Sequence, residues 1–448
     1  MTTLPLVSHR SPDSIIAWRA DGAVTLNQFL ADVNQLVSLF PASGHMLNMC
    51  SDRYHFSVGL AAAIVSNKIS LLPSSHTPEV IRQIKAFAPD VFCLTDNDHC
   101  MVNLPQLTYP MIAINDIDSF AIPEINNQQC ITIVFTSGST GRPKPHAKTW
   151  RSLVSSIQAE ALRIGLEHNS TTTFIGTVPP QHMYGLESTV LIAWFTGNAL
   201  CYAQPFYPAD ICQTLMTVPA PCVLVSSPVH LRALLNADLA IPRIAKVISA
   251  TAPLAIELAQ DIETRCHAPL FEIYGSTETG LIATRRSTQT EQWQLLPEIS
   301  LTVKDACVYA CGGHIETLTV MNDVIELITH THFLLRGRIE DMINIAGRRH
   351  SLASLNHILN NIPGVIDGTF YMPDETYGNS AITRLAACVV APELDASQLL
   401  AILREYIAPA FLPRPLLFIG TLPRNETGKL SRASLHALFQ QPNQAKSI

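Results

Sequence analysis

The 448-residue chain exceeds one ordinary domain and suits two or three, each large enough to bury a core. Apolar residues make up 47% and charged residues 15%, a balance that fits a large globular enzyme and leaves little room for disordered tails. The net charge of -7 argues against an electrostatic nucleic-acid binder, which would carry a basic stripe.

The opening "MTTLPLVSHRSPDS" lacks the basic-then-apolar secretory pattern, and the eleven cysteines are odd in number and scattered without CxxC pairs, so a reduced, cytoplasmic protein is expected. From Ser14 to Pro89, short β-branched runs alternate with helical ones. In "LNQFLADVNQLVSLF" the residues Leu26, Phe29, Leu30 and Val33 share a face. The stretches "FSVGLAAAIVSNKISLL" and "TVLIAWFTGNALCY" are interrupted by Asn67 and Lys68, or by Gly197 and Asn198, before they reach a membrane-spanning length. They read as buried core, and no membrane span is expected.

At "CITIVFTSGSTGRPKPHAKTW" a strand-like run, Ile131 to Phe135, gives way to small and hydroxylated residues and then a lysine. Gly138 and Gly141 can take positive φ, and the hydroxyls of Thr136, Ser137, Ser139 and Thr140 can donate, so the loop could form a nest for a phosphate. Lys144 adds a mobile positive charge. The stretch does not match a Walker loop, because its lysine is followed by Pro145, and an ordinary surface loop is the alternative reading on composition alone.

Downstream, Trp150, Leu153, Val154, Ile157, Ala161 and Ile164 have helical spacing, and "PCVLVSS", "AKVISA" and "PLFEIY" read as strands separated by helices. The alternation predicts an α/β fold of mostly parallel sheets covered on both faces, with ligands beyond the carboxyl ends of strands, where "FTSGST" and "IYGSTETG" stand. Residues 291–336 change to short β runs and predict a small β subdomain. Within it, Cys307, Cys311 and His314 lack an evident fourth ligand, which counts against zinc. A compact α+β unit should follow, with a helix at 351–361, strands near "GTFYM" and "LAACVVA", and the helix "ASQLLAILREYI". The expected division is a large domain over 1–339 and a small one over 340–448.

Together with the loop, "EIYGSTETG" (272–280), "LLRGRIEDMINIAGRR" (334–349) and "LPRNETGKLSR" (422–432) resemble, in order, the signatures of the adenylate-forming superfamily. That superfamily includes acyl-CoA synthetases, nonribosomal peptide synthetase adenylation domains and luciferases. The resemblance spans nearly the whole chain. It implies an AMP-forming ligase of fatty-acid or aromatic-acid metabolism that uses ATP and Mg2+ to adenylate a carboxylic acid, then passes the acyl group to the pantetheine thiol of CoA or of an acyl carrier protein. An acyl-AMP former without the thiol step, and a catalytically silent nucleotide-binding protein, are the alternatives.

Carried onto matching positions, the loop from Thr136 to Lys144 would hold the β and γ phosphates. Tyr274 would stack on adenine beside Gly275, Thr277 would hydrogen-bond a phosphate, and Glu278 would hold magnesium. Asp323 would accept from both ribose hydroxyls, with Arg338 near the ribose or α-phosphate. His182 would lie beside the acyl carboxylate, and with Tyr184 and Ser249, Ala250 and Thr251 it would line the acyl pocket. Lys429 would place its ammonium between carboxylate and α-phosphate, where negative charge grows in the transition state. The small domain would be mobile, turning about a hinge at Glu340, after which Gly347 would leave room for the pantetheine arm. The sequence departs from the family at Pro145, at "SLASLN" and in its shortness between Glu278 and Asp323.

Overall fold

The computed structural model describes residues 2–73, 75–110, 120–137, 143–305, 307–338, 342–345, 348–373, 384–425 and 430–440. They fall into two compact units, Met1–Val320 and Met321–Ile448.

The first unit contains two large sheets. One runs in the order Pro143–Thr149, Cys130–Ser137, Ile69–Leu72, His45–Asn48, Phe92–Thr95, Gln106–Thr108; it is parallel except at its first pair. Within the same unit the other runs Trp293–Leu295, Gly280–Arg285, Leu270–Ser276, Lys246–Ser249, Cys222–Ser226, Thr173–Gly176, Ala199–Cys201, Ile15–Arg19, Gly22–Thr25. Its central strands are parallel and its outer pairs antiparallel. Cys222–Ser226 is buried at every position, as expected of a strand covered on both faces.

Helices follow the sequence signals closely. Leu26–Leu39 opens on a capping box in which Thr25 Oγ1 accepts from Gln28 N and the Gln28 side chain accepts from Thr25 N, and it buries Leu26, Phe29, Leu30, Val33 and Leu36. Arg53–Val65 is capped by Asp52 and is buried along almost its whole length. It ends before Asn67, whose φ of 55° turns the chain, and Lys68 Nζ donates to the carbonyl of Pro41. The second apolar stretch is buried too, in helix Ile192–Thr196, the turn at Gly197, where φ is 65°, and strand Ala199–Cys201, so both stretches are core elements. No helix among the described residues is long and apolar enough to cross a membrane.

The stretch 291–336, read from sequence as one β subdomain, is divided three ways. Trp293–Leu295 is an edge strand of the larger sheet, Ser300–Lys304, Cys307–Gly312 and Ile315–Val320 form their own antiparallel sheet, and the hairpin Asp323–Leu327/His332–Arg338 belongs to the second unit. Cys307 and Cys311 stand four apart on one strand, a span of about 13 Å. No group of three potential ligands able to hold a metal ion occurs among the described residues.

The second unit is α+β. Helix Leu352–Asn360 and helix Ala396–Tyr406 pack on a mixed sheet of Asp367–Tyr371, Ala386–Val390 and Leu416–Phe418. Leu355, Leu359, Phe370, Val389, Leu399 and Leu403 form its core. This unit begins at Met321 and includes the hairpin Asp323–Leu327/His332–Arg338, whereas the division expected from sequence falls between 339 and 340, at an expected hinge.

Candidate active site

The strands Cys130–Ser137 and Pro143–Thr149 pair so that Thr136 stands opposite Lys144 and Val134 opposite His146. Pro143 and Pro145 are tolerated here because the second strand is the edge of its sheet. Lys144 is exposed. Thr136 Oγ1 lies 3.1 Å from His146 Nε2. Gly138, Ser139, Thr140 and Gly141 lie outside the described residues, as does the side chain of Ser137.

A second turn comes from the other sheet. Strand Leu270–Ser276 pairs with Gly280–Arg285 through a register shift at Tyr274/Gly275. The backbone approach here demands glycine, since a Cβ on Gly275 would lie 2.2 Å from the carbonyl oxygen of Gly280. The Gly275→Ala variant should therefore lose about 1–3 kcal/mol, read as a lower urea midpoint. Tyr274 is half-buried with its ring 5.4 Å from that of Trp293, and reciprocal bonds of 3.2 Å between Ser276 and Thr279 close the turn. Thr277 and Glu278 are only partly covered. Glu278 Oε1 comes within 3.7 Å of His146 Nε2, so Thr136, His146 and Glu278 form a line from the strand pair to the acidic turn.

Nearby, His182 precedes the short helix Met183–Gly185, which continues into a π-helical turn over Leu186–Leu191, a form often found at functional sites. Tyr184 Oη lies 2.9 Å from Ser226 O and 3.1 Å from Ile248 O. The hydroxyl expected to line the acyl pocket thus ties together the carboxyl ends of two parallel strands. Ser249 ends the second of them; its Oγ is buried with no hydrogen-bond partner among the described residues. Two residues on, Thr251 has φ of 79°, unusual for a β-branched residue and of the kind that marks binding sites.

Asp323 and Arg338 lie in the second unit, where they are directly opposed on one hairpin. The side chain of Arg338 and the residues Glu340, Gly347 and Lys429 lie outside the described residues.

One polar cluster of the first unit escaped the sequence reading. Glu160 is fully buried, Glu187 nearly so, and Lys148 is 8% exposed. Ser188 Oγ donates to Glu160 Oε1 at 3.0 Å and Ser156 Oγ to Glu187 Oε1 at 3.1 Å. Burial, with the neighbouring Glu187, pushes the Glu160 carboxyl up to about 8; burial also raises Glu187 to about 7 against the opposing pull of Lys148. The available signal was the helix Trp150–Arg163, where Glu160 sits three residues after Ile157 and hence on the apolar face.

These raised values have a signed consequence. Between the unfolded carboxyl range and pH 7–8 the native state keeps protons that the unfolded chain has released, so stability should fall as pH rises through that window. Urea midpoints measured from pH 5 to 8 should decline, and the Glu160→Gln variant should flatten the decline. An equal slope in that variant would remove Glu160 from the account.

Two sheets that meet where Thr136 and His146 face the Glu278 turn, with an α+β unit following in the chain, are the architecture of an adenylate-forming enzyme. The sequence profile of the AMP-binding enzyme family matches residues 45–311, and the chain belongs to that family. A 4-coumarate–CoA ligase of Rhodobacter capsulatus is 29% identical over 230 residues, 51% of this chain and 57% of that protein, so the chain spans little more than half of that relative. The mitochondrial acyl-coenzyme A synthetase ACSM2 of Rattus norvegicus is 24% identical over 80% of this chain and 71% of its own, and a 4-chlorobenzoate–CoA ligase of Arthrobacter sp is 25% identical over 69% and 67%. Among solved structures, ATP-bound MatB of Rhodopseudomonas palustris superposes with a TM-score of 0.80 at 16% identity, covering 97% of both chains. AMP-bound o-succinylbenzoate coenzyme A synthetase of Bacillus subtilis does so with 0.80 at 17%, covering 100% and 99%. At these identities the likeness establishes the fold.

Proposed function

We propose that this protein is an ATP-dependent acid–thiol ligase that adenylates a fatty or aromatic carboxylic acid, releases pyrophosphate and transfers the acyl group to the thiol of CoA. The observation that carries the reading is the line of Thr136, His146 and Glu278, which sets an acidic turn beside the strand flanking the phosphate loop. The CoA-ligase relatives support the choice of acceptor.

Glu278 suits Mg2+, because it offers a partly exposed, hard carboxylate oxygen, and one such ligand plus nucleotide phosphates is the usual way that ion is held. Bound there with Thr277 alongside, the ion would neutralise charge on the departing pyrophosphate. Thr136 and Lys144 would hold the outer phosphates, Tyr274 would cover the adenine, and Asp323 with Arg338 would take the ribose. His182 and the Ser249–Thr251 turn would hold the acid's carboxylate end, while Tyr184 shapes the pocket by joining its strands. Lys429 would then balance the charge as the carboxylate oxygen attacks the α-phosphorus, and rotation of the small domain about Glu340 would exchange it for the Gly347 segment before thiol attack.

Incubation with a panel of fatty, benzoic and cinnamic acids should give acid-dependent exchange of pyrophosphate into ATP, and CoA should accelerate AMP release. Exchange without a CoA effect would favour an acyl-AMP former. No exchange with any acid would overturn the reading.

A further inference from the structure

Resting on the ligase reading, we propose that Lys148 and His314 are positioning residues that clamp the main chain of Glu278 and Thr279 and so fix where the Glu278 carboxylate meets the metal–nucleotide. Lys148 Nζ donates to the carbonyl of Glu278 at 3.0 Å, and His314 Nε2 lies 3.1 Å from the carbonyl of Thr279. These donors come from separate elements, the edge strand Pro143–Thr149 and the turn between strands Cys307–Gly312 and Ile315–Val320, and they reach successive carbonyls. Burial lowers the His314 imidazole to about 4, so at neutral pH it is uncharged and must carry its proton on Nε2 to make this bond.

Packing alone does not hold the turn. A cavity of about 170 Å³, lined by Lys148, Ser152, Glu187, Glu278, His314 and Glu316, lies against it. Burying the Lys148 ammonium is costly, and the acidic side chains of Glu187, Glu278 and Glu316 together oppose that cost. Two residues earlier on the same strand, His146 faces the Glu278 side chain at 3.7 Å. One strand thus touches both the carbonyl and the carboxylate of Glu278, restraining the residue at its two polar ends.

The test is metal affinity rather than rate. Removing Lys148 alone would also take away the charge that holds Glu187 down, so the informative protein is the double variant Lys148→Met with Glu187→Gln. Mn2+ titrated into each protein with α,β-methylene ATP, followed by electron paramagnetic resonance, should bind about tenfold more weakly to the double variant. The Mg2+ activation constant for exchange should rise in proportion, with the rate at saturating Mg2+ and the KM for the acid near wild type. A folded double variant with unchanged Mn2+ affinity would overturn the clamp while leaving the ligase reading intact. Should that variant fail to fold, His314→Phe removes the second donor, and the same two outcomes decide. A wild-type protein that shows neither exchange nor nucleotide-dependent Mn2+ binding would overturn both.

Discussion

The Lys429→Ala variant should exchange pyrophosphate into ATP about 10²–10³-fold more slowly than wild type, the usual effect of removing one preorganised group that stabilises developing charge. Attack of a carboxylate on a phosphate brings two anions together, and a nearby ammonium is the simplest offset. The fold should tolerate the change. Arg424 and Leu430, which bracket the segment, form a β-bridge; Arg424 holds Asp367 through contacts of 2.7 and 2.8 Å, and Leu430 packs on Tyr371 and Leu435. A second measurement separates chemistry from structural damage. If Lys429 serves only the first step, the variant should still convert supplied acyl-AMP and CoA to thioester and AMP at nearly the wild-type rate. Exchange unchanged from wild type would refute the assigned role, and equal loss of both half-reactions would point to misfolding.

The parts legible in sequence were those where one residue's own geometry or periodicity carries the signal. The "YGSTE" motif was readable by resemblance, and its glycine answers to a local constraint, since a Cβ there would lie 2.2 Å from the Gly280 carbonyl oxygen; the face of Leu26–Leu39 follows from helical spacing. The parts that were not legible depend on contacts between distant segments. Glu160 meets Ser188 across 28 residues and Lys148 meets Glu278 across 130; helical spacing can put Glu160 on an apolar face, but the partners that satisfy these buried charges are set by segments far away in sequence. Tyr184 shows the same limit. Its place beside His182 was readable, but that its hydroxyl would be spent on the carbonyls of Ser226 and Ile248 depends on how the parallel strands lie side by side. The run of β strands at 291–336 was likewise visible, while its division depends on which sheet each strand joins.

Arg53→Met should destabilise the first unit by about 3 kcal/mol or more, and it should affect the acid side of the site more than the nucleotide side. The guanidinium is fully buried at the start of its helix, and no acidic residue forms an ion pair with it among the described residues. Instead Nη1 donates to the carbonyls of Cys201 and Ala203 at 3.3 and 2.6 Å, and Nη2 to those of Gly176 and Val178 at 3.0 and 2.9 Å. Burial lowers its pKa only to about 10, so it stays cationic at neutral pH, held by carbonyl dipoles. Gly176 makes room for it: a Cβ there would lie 2.7 Å from Nη2. Methionine would fill similar volume but leave these buried acceptors without donors. Lysine should rescue little, because one ammonium cannot reproduce a planar fork that serves two pairs of carbonyls. Val178 leads directly into the segment bearing His182, so loosening its carbonyl should raise the KM for the acid more than that for ATP. A urea midpoint equal to wild type in Arg53→Met would show that water replaces the fork at no cost, and the link from this buried cation to the acyl side would fail with it.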